Sequence, residues 1–84
     1  MHCIYVLYSR HFKKIYIGET ANLIGRFHVH NQLANKGYTK KYRPWIMVHV
    51  EFFKSRREAL EREKKFKSGQ GRQWIHEIIL PQYS

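Results

Sequence analysis

The chain opens with two short apolar runs separated by five turn-forming residues, and this spacing narrows the possible folds more than any other feature. Residues 2–8 (His-Cys-Ile-Tyr-Val-Leu-Tyr) are β-branched and aromatic, the composition of a buried strand. Residues 9–13 make a turn, and residues 14–18 return as the second strand of a hairpin. Gly18 breaks that strand, and Thr20 or Asn22 is placed to cap a helix over 22–34. Each strand carries one tyrosine, Tyr5 and Tyr16, and the helix carries Leu23, Arg26, His30 and Asn31 at i, i+3, i+7 and i+8. Two phenols, a guanidinium and an imidazole therefore fall near one another on a small sheet-and-helix unit. Such groups suit work on a phosphate, and a plain hydrophobic core requires none of them.

On the first helix, Leu23, Phe27 and Ala34 stack on one face at about 100° per residue, with Ile24 beside them and Gly25 opposite. A basic-aromatic loop follows over 35–44, and residues 45–53 read as a third strand. Ser55-Arg56-Arg57-Glu58 is a capping box, so a second helix starts there and runs to Lys67, stopping at Ser68-Gly69. A third, shorter helix is expected over 71–80, ended by Pro81. The order β-β-α-β-α-α predicts an α+β fold: a small, mainly antiparallel three-stranded sheet flanked by helices.

Eighty-four residues fit a single domain, 1–84, and 43% apolar residues allow a core without disulfides or a structural metal. Sixteen Lys/Arg against six acidic residues give a net charge of +10, spread from Arg10 to Arg72 rather than gathered in a tail. A folded basic domain seeks phosphate backbones, with affinity that falls as salt rises; the blander reading is a ribosome-associated or merely very soluble basic protein. Cys3 is the only cysteine, which suits a reducing compartment. His28 and His30, two apart, point to different helix faces and offer no zinc site. With no charged-then-apolar leader and no long apolar run, cytoplasmic residence without a membrane span is the expectation.

Glu63 stands out among the six glutamates of a chain that has no aspartate. Ala59, Leu60, Phe66 and the stem of Lys67 form the inward stripe of the second helix, and Glu63 falls in its middle. An inward carboxylate needs a cation, a donor cluster or a metal ion; a buried ion pair with Arg or Lys is the structural alternative. Glu58 belongs to the capping box, Glu61 faces outward, Glu51 is an edge-facing strand residue, and Glu77 sits near the C-terminus. Glu19 is the rival nearest the tyrosines.

These features together resemble the GIY-YIG nuclease superfamily, in particular its small bacterial single-domain members. The first tripeptide stands as Cys3-Ile4-Tyr5 and the second intact as Tyr16-Ile17-Gly18; the likeness continues through Lys40–Pro44, Ser55–Leu60 and Lys67–Trp74. It implies a divalent-metal-dependent endonuclease that hydrolyses phosphodiester bonds in DNA, selecting structure rather than sequence. In that reading Glu63 matches the metal-binding glutamate, with Mg²⁺ or Mn²⁺ as the ion, one per site. Tyr5 activates the attacking water while Tyr16 stabilises, Arg26 clamps the scissile phosphate, and His30 orients a tyrosine or acts as an acid–base group. Lys40, Lys41, Arg43, Arg56 and Arg57 contact phosphates, with Tyr38, Tyr42 or Trp45 as stacking surfaces. The late asparagine common in the family has no counterpart after Asn35, and the histidine after the first helix is replaced by Lys40 or Lys41. A catalytically weak nucleic-acid-binding module on the same fold is the alternative, and a basic partner-docking protein is a third class. The appended recognition domain of related enzymes has no counterpart, so specificity comes from a protein partner or from substrate shape.

Overall fold

A computed structural model describes residues 1–33 and 37–83; Ala34 of the expected helix stripe and Asn35 and Lys36 of the expected loop lie outside them. The sheet is antiparallel with strand order β2-β1-β3, built from β1 (His2–Ser9), β2 (Lys14–Thr20) and β3 (Ile46–Phe53). β1 lies in the middle, which explains why its sequence is continuously apolar: residues Cys3–Ser9 are all buried. The fold is α+β, as the order of elements predicts.

Alternation along β1 divides the core in two. Ile4, Val6 and Tyr8 join Ile15, Ile17 and Val48 beneath Ala59, Phe66, Ile75, Ile79 and Leu80. Tyr5 and Leu7 point the other way and pack with Trp45, flanked by Tyr16, Leu23, Phe27, Tyr42, Met47 and Val50. The first layer is held by α3 (Arg56–Lys67) and the C-terminal helical segment, the second by α1 (Leu23–His28), which continues as a π-helical turn over Val29–Leu33.

Several boundaries differ from the sequence reading. β2 continues through Glu19 and Thr20, because Gly18 does not end the strand but pairs opposite Tyr5. Asn22 caps α1 by accepting from the Gly25 amide at 3.1 Å, while Thr20 accepts from Asn22 N. Gly25 is half-buried rather than turned fully to solvent. Ile24 is 82% exposed, because the short helix rests on the sheet through Leu23 and Phe27 alone. The basic loop contains a one-turn helix, α2 (Tyr38–Lys41), pinned by Tyr38 Oη donating to Ile15 O at 2.9 Å and Trp45 Nε1 donating to Thr39 O at 2.8 Å. Leu60 is 36% exposed; it sits about 100° from Ala59 around α3, beyond the buried line of Ala59 and Phe66.

Ser55 caps α3 by accepting from Glu58 N and donating to the Glu58 carboxylate, the expected capping box. The last helix begins two residues earlier than expected, as α4 (Gly69–Trp74), since Ser68 accepts from Gly71 N and serves as its cap. A π turn over Ile75–Ile79 and a 3₁₀ turn over Leu80–Gln82 follow, with Pro81 inside the 3₁₀ turn, where its missing N–H costs nothing. Among the described residues, no helix is long and apolar enough to cross a membrane.

Candidate active site

Strand period and register place the two tyrosines. Tyr5 and Tyr16 share one sheet face, Tyr16 opposite Leu7 and Tyr5 opposite Gly18, so they meet diagonally across the ladder. Their ring centroids are 6.3 Å apart. Gly18 makes this possible: a Cβ there would lie 2.6 Å from Tyr5 Cζ and closer still to the Tyr5 hydroxyl. The glycine of the second tripeptide is therefore the space into which the tyrosine of the first extends.

His30 joins the pair from the π turn. Its Nε2 lies 2.9 Å from Tyr5 Oη, in a buried hydrogen bond, and its ring sits 4.7 Å from that of Tyr16. His30 is 4% exposed, and its Nδ1 is buried with no hydrogen-bond partner. His30 follows Leu23 by seven residues, about two helical turns, and so lies on the line of Leu23 and Phe27. Burial and the neighbouring Arg26 charge hold the imidazole below its ordinary value, so it is neutral at pH 7.

Arg26 is exposed, and its guanidinium acts on both Tyr5 and His30. It borders a cleft, open to solvent, lined also by Thr20, Asn22, Gly25 and Val29. Burial pushes the Tyr5 phenol well above its usual range; Tyr16 and Glu63 add to the rise, and Arg26 opposes it. Glu63, on α3, thus acts on Tyr5 through its charge. Its side chain is 19% exposed and pairs with Lys67 Nζ at 3.4 Å, one turn on. Of the residues expected from sequence, Tyr5, Tyr16 and His30 are in contact, and the Arg26 and Glu63 charges act on Tyr5.

Glu19, the rival carboxylate, is engaged elsewhere: it binds His2 Nδ1 at 3.0 Å and Arg56 Nε at 3.6 Å. The donor set at the tyrosines is a single carboxylate beside two phenols. Hard oxygen donors of this kind fit magnesium or manganese, which bind through one or two carboxylates and keep several waters.

The basic residues form two groups. Lys40 and Lys41 are exposed on α2, and the Lys14 and Lys41 ammoniums lie 5.5 and 5.4 Å from the Tyr42 ring centre. Arg43 anchors the site from behind by donating to His30 O at 2.9 Å. Arg56 and Arg57 are exposed at the start of α3, Arg57 paired with Glu61 at 3.5 Å. The first group adjoins Lys14 and the second Glu19, roughly 17 Å apart along β2 at the usual strand rise. Tyr16 lies between them. Trp45, expected as a stacking surface, is 2% exposed and packs against Leu7 and Tyr5 instead.

Sequence reading missed three contributions. Asn31 grips the start of β3 with both ends of its amide, accepting from Trp45 N at 2.7 Å and donating to Trp45 O at 3.0 Å. Its place one residue after His30 was the available signal. Arg72 reaches Tyr38, whose phenol is raised by burial and by Tyr42 and lowered by the arginine. Glu51 is no idle edge residue: Arg62 binds it with two bonds at 2.8 and 3.3 Å, and His49 Nε2 lies at 2.8 Å. Burial alone would raise the Glu51 carboxyl, but Arg62 and His49 outweigh it and hold it low. No spacing rule links residues 51 and 62 before the α3–β3 packing is known.

Residues 1–74 match the family model described as the GIY-YIG catalytic domain. The chain is 34% identical over 67 residues to a UPF0213 protein of Staphylococcus haemolyticus, covering 80% of each. It is 36% identical over 66 residues to one from Bacillus velezensis, covering 79% of this chain and 66% of the relative. A third, from Limosilactobacillus reuteri, is 39% identical over 72 residues, covering 83% and 74%.

Proposed function

This chain belongs to the GIY-YIG family, a nuclease-type domain, and from that premise we propose that it is a divalent-metal-dependent endonuclease cutting phosphodiester bonds in DNA, selective for structure rather than sequence, in a cytoplasmic setting. The observation that carries this reading is the convergence of Tyr5, Tyr16 and His30, with the Arg26 and Glu63 charges both acting on the Tyr5 phenol.

Glu63 is the carboxylate that would hold Mg²⁺ or Mn²⁺, which would offset charge on the phosphate and make the attacking water easier to deprotonate. Arg26, exposed at the lip of the cleft, binds a non-bridging phosphate oxygen and strengthens that contact as charge grows in the transition state. Tyr5 remains a neutral phenol at pH 7, so it serves as a relay: its oxygen takes a proton from the attacking water while its own proton passes to His30 Nε2. A neutral His30 is the state able to accept that proton. Tyr16, half-buried beside both groups, positions the phosphate or the water.

Lys40 and Lys41 at one end of β2 and Arg56 and Arg57 at the other extend phosphate contacts on both sides of the scissile bond, with Tyr42 beside the first group. Phosphate contacts position a substrate without reading bases, which favours selection by shape or by a protein partner. The test is incubation with flapped, branched, nicked, single-stranded and duplex DNA, with Mg²⁺, Mn²⁺ or EDTA. Metal-dependent cleavage concentrated on one structure is expected. Binding without cleavage of any substrate would leave the nucleic-acid-binding module as the function.

A further inference from the structure

On the flank of α3 away from the tyrosines lies a second cleft, of about 530 Å³, within the roughly 300–1,000 Å³ span of small-ligand sites. Arg62, Lys65, Phe66, Ser68, Gln70 and Trp74 line it. We propose that this cleft takes an unpaired base of the substrate strand, stacked on Trp74, with an adjoining phosphate on Lys65; the inference rests on the nuclease reading and names its substrate class as DNA with a single-stranded arm.

The wall of the cleft is aromatic and rigid. Trp74 is 39% exposed, yet it is braced by Phe66 at 5.7 Å and by His49 at 5.6 Å between ring centroids. His49 is held by Glu51, which also fixes Arg62, and the Arg62 guanidinium lies 4.7 Å from the Phe66 ring centre. An indole held by a buried Phe66 and a hydrogen-bonded His49, and lining an open cleft, is a stacking platform, since every base offers it a π face. Polarity suits the same occupant. Arg62 is neutralised by Glu51, whereas Lys65 makes no ion pair among the described residues and leaves its charge for a phosphate. Gln70 adds an amide for a base edge.

Position ties the cleft to the chemistry. Glu63 turns toward Tyr5, while the adjacent Arg62 turns toward Glu51 on β3, the strand at the opposite edge of the sheet from β2. The cleft therefore lies on the β3 side of α3, and a base enters it only when unpaired and turned out of its stack.

The chain supplies its own reporter. Of its two tryptophans, Trp45 is 2% exposed and Trp74 faces the cleft, so quenching of tryptophan emission reads Trp74. In EDTA, where no cutting occurs, titration with an eight-nucleotide oligothymidylate should quench the emission. An abasic strand of the same length should bind without quenching. Trp74→Ala should weaken oligothymidylate binding about five- to 150-fold, the range of one base–aromatic stack, and leave binding to blunt duplex unchanged. Trp74→Phe, which keeps the packing on Phe66, should keep most of the affinity. Equal quenching by the abasic strand, or unchanged affinity in a folded Trp74→Ala protein, overturns the site. Cleavage of flapped DNA without quenching sinks this inference alone; quenching without cleavage of any substrate sinks the nuclease reading and leaves the stacking site standing.

Discussion

Replacing Glu63 with glutamine separates a chemical role from a structural one, because the structure sets the size of the structural role. The ionic partner among the described residues is Lys67, half exposed, at 3.4 Å one helical turn away. Exposed i,i+4 pairs contribute about 0.3–0.5 kcal/mol, and water solvates the lysine once the carboxylate is gone. Glu63→Gln keeps the volume and still hydrogen-bonds, so the domain should lose no more than about 0.5 kcal/mol, or roughly 2–4 °C in Tm for a chain of this size. Cleavage should fall far more, by at least the roughly 10²–10³ of a lost preorganised charged group. The assay pairs thermal melting followed by circular dichroism with initial rates on the best substrate across Mn²⁺ concentrations. A melt within a few degrees of wild type, with a rate that excess Mn²⁺ does not restore, is the expected result. Wild-type rates in the variant, or a melting loss of 10 °C or more, would refute the reasoning.

Arg26→Ala should slow cleavage about 10²–10³-fold with little change in Tm, because the side chain is exposed; equal losses in both would mark it as structural. Gly18→Ala should destabilise by about 1–3 kcal/mol and reduce activity together, since the new methyl takes the space of the Tyr5 hydroxyl; a stable, active variant would show that Tyr5 need not lie there. The folded-state pKa of His30 is lowered, so the unfolded chain takes up the proton first as pH falls. Stability from this residue is complete above about pH 6.5 and is lost below it, and His30→Gln should show a shallower decline between pH 7 and 5 in denaturant melts, whereas an unchanged slope would place that decline elsewhere.

The sequence was most legible where a fixed period acts. In β1 and β2 the two-residue alternation fixes which side each tyrosine takes, and with the turn over 9–13 it fixes their register; Tyr5 and Tyr16 could be paired before any coordinates. Ser55 and Glu58 announced α3 through capping chemistry, and the spacing of Ala59, Glu63 and Phe66 set Glu63 toward the protein. Leu60 and Ile24 were misplaced for one reason: a 100° step tells which residues share a face, but not how wide a stripe the sheet covers. The exposed Ile24 belongs to a helix too short to cover it.

What stayed hidden depends on pairings between elements distant in sequence. His30 was expected on the inward face from its spacing, but the widening of the helix into a π turn after His28 was not, and no side chain announces it. Asn31 became decisive only when Trp45 was seen to present both its N–H and its C=O to one amide. The same logic bears on the chemistry. A phenol held by an imidazole whose other nitrogen is buried without a partner has one route for its proton, toward His30, while the Tyr16 ring and the Arg26 charge lie on its other side. The geometry that makes Tyr5 a poor free base is therefore what makes it a directed relay: burial keeps the proton on the phenol until water delivers another, and His30 is already in place to receive it.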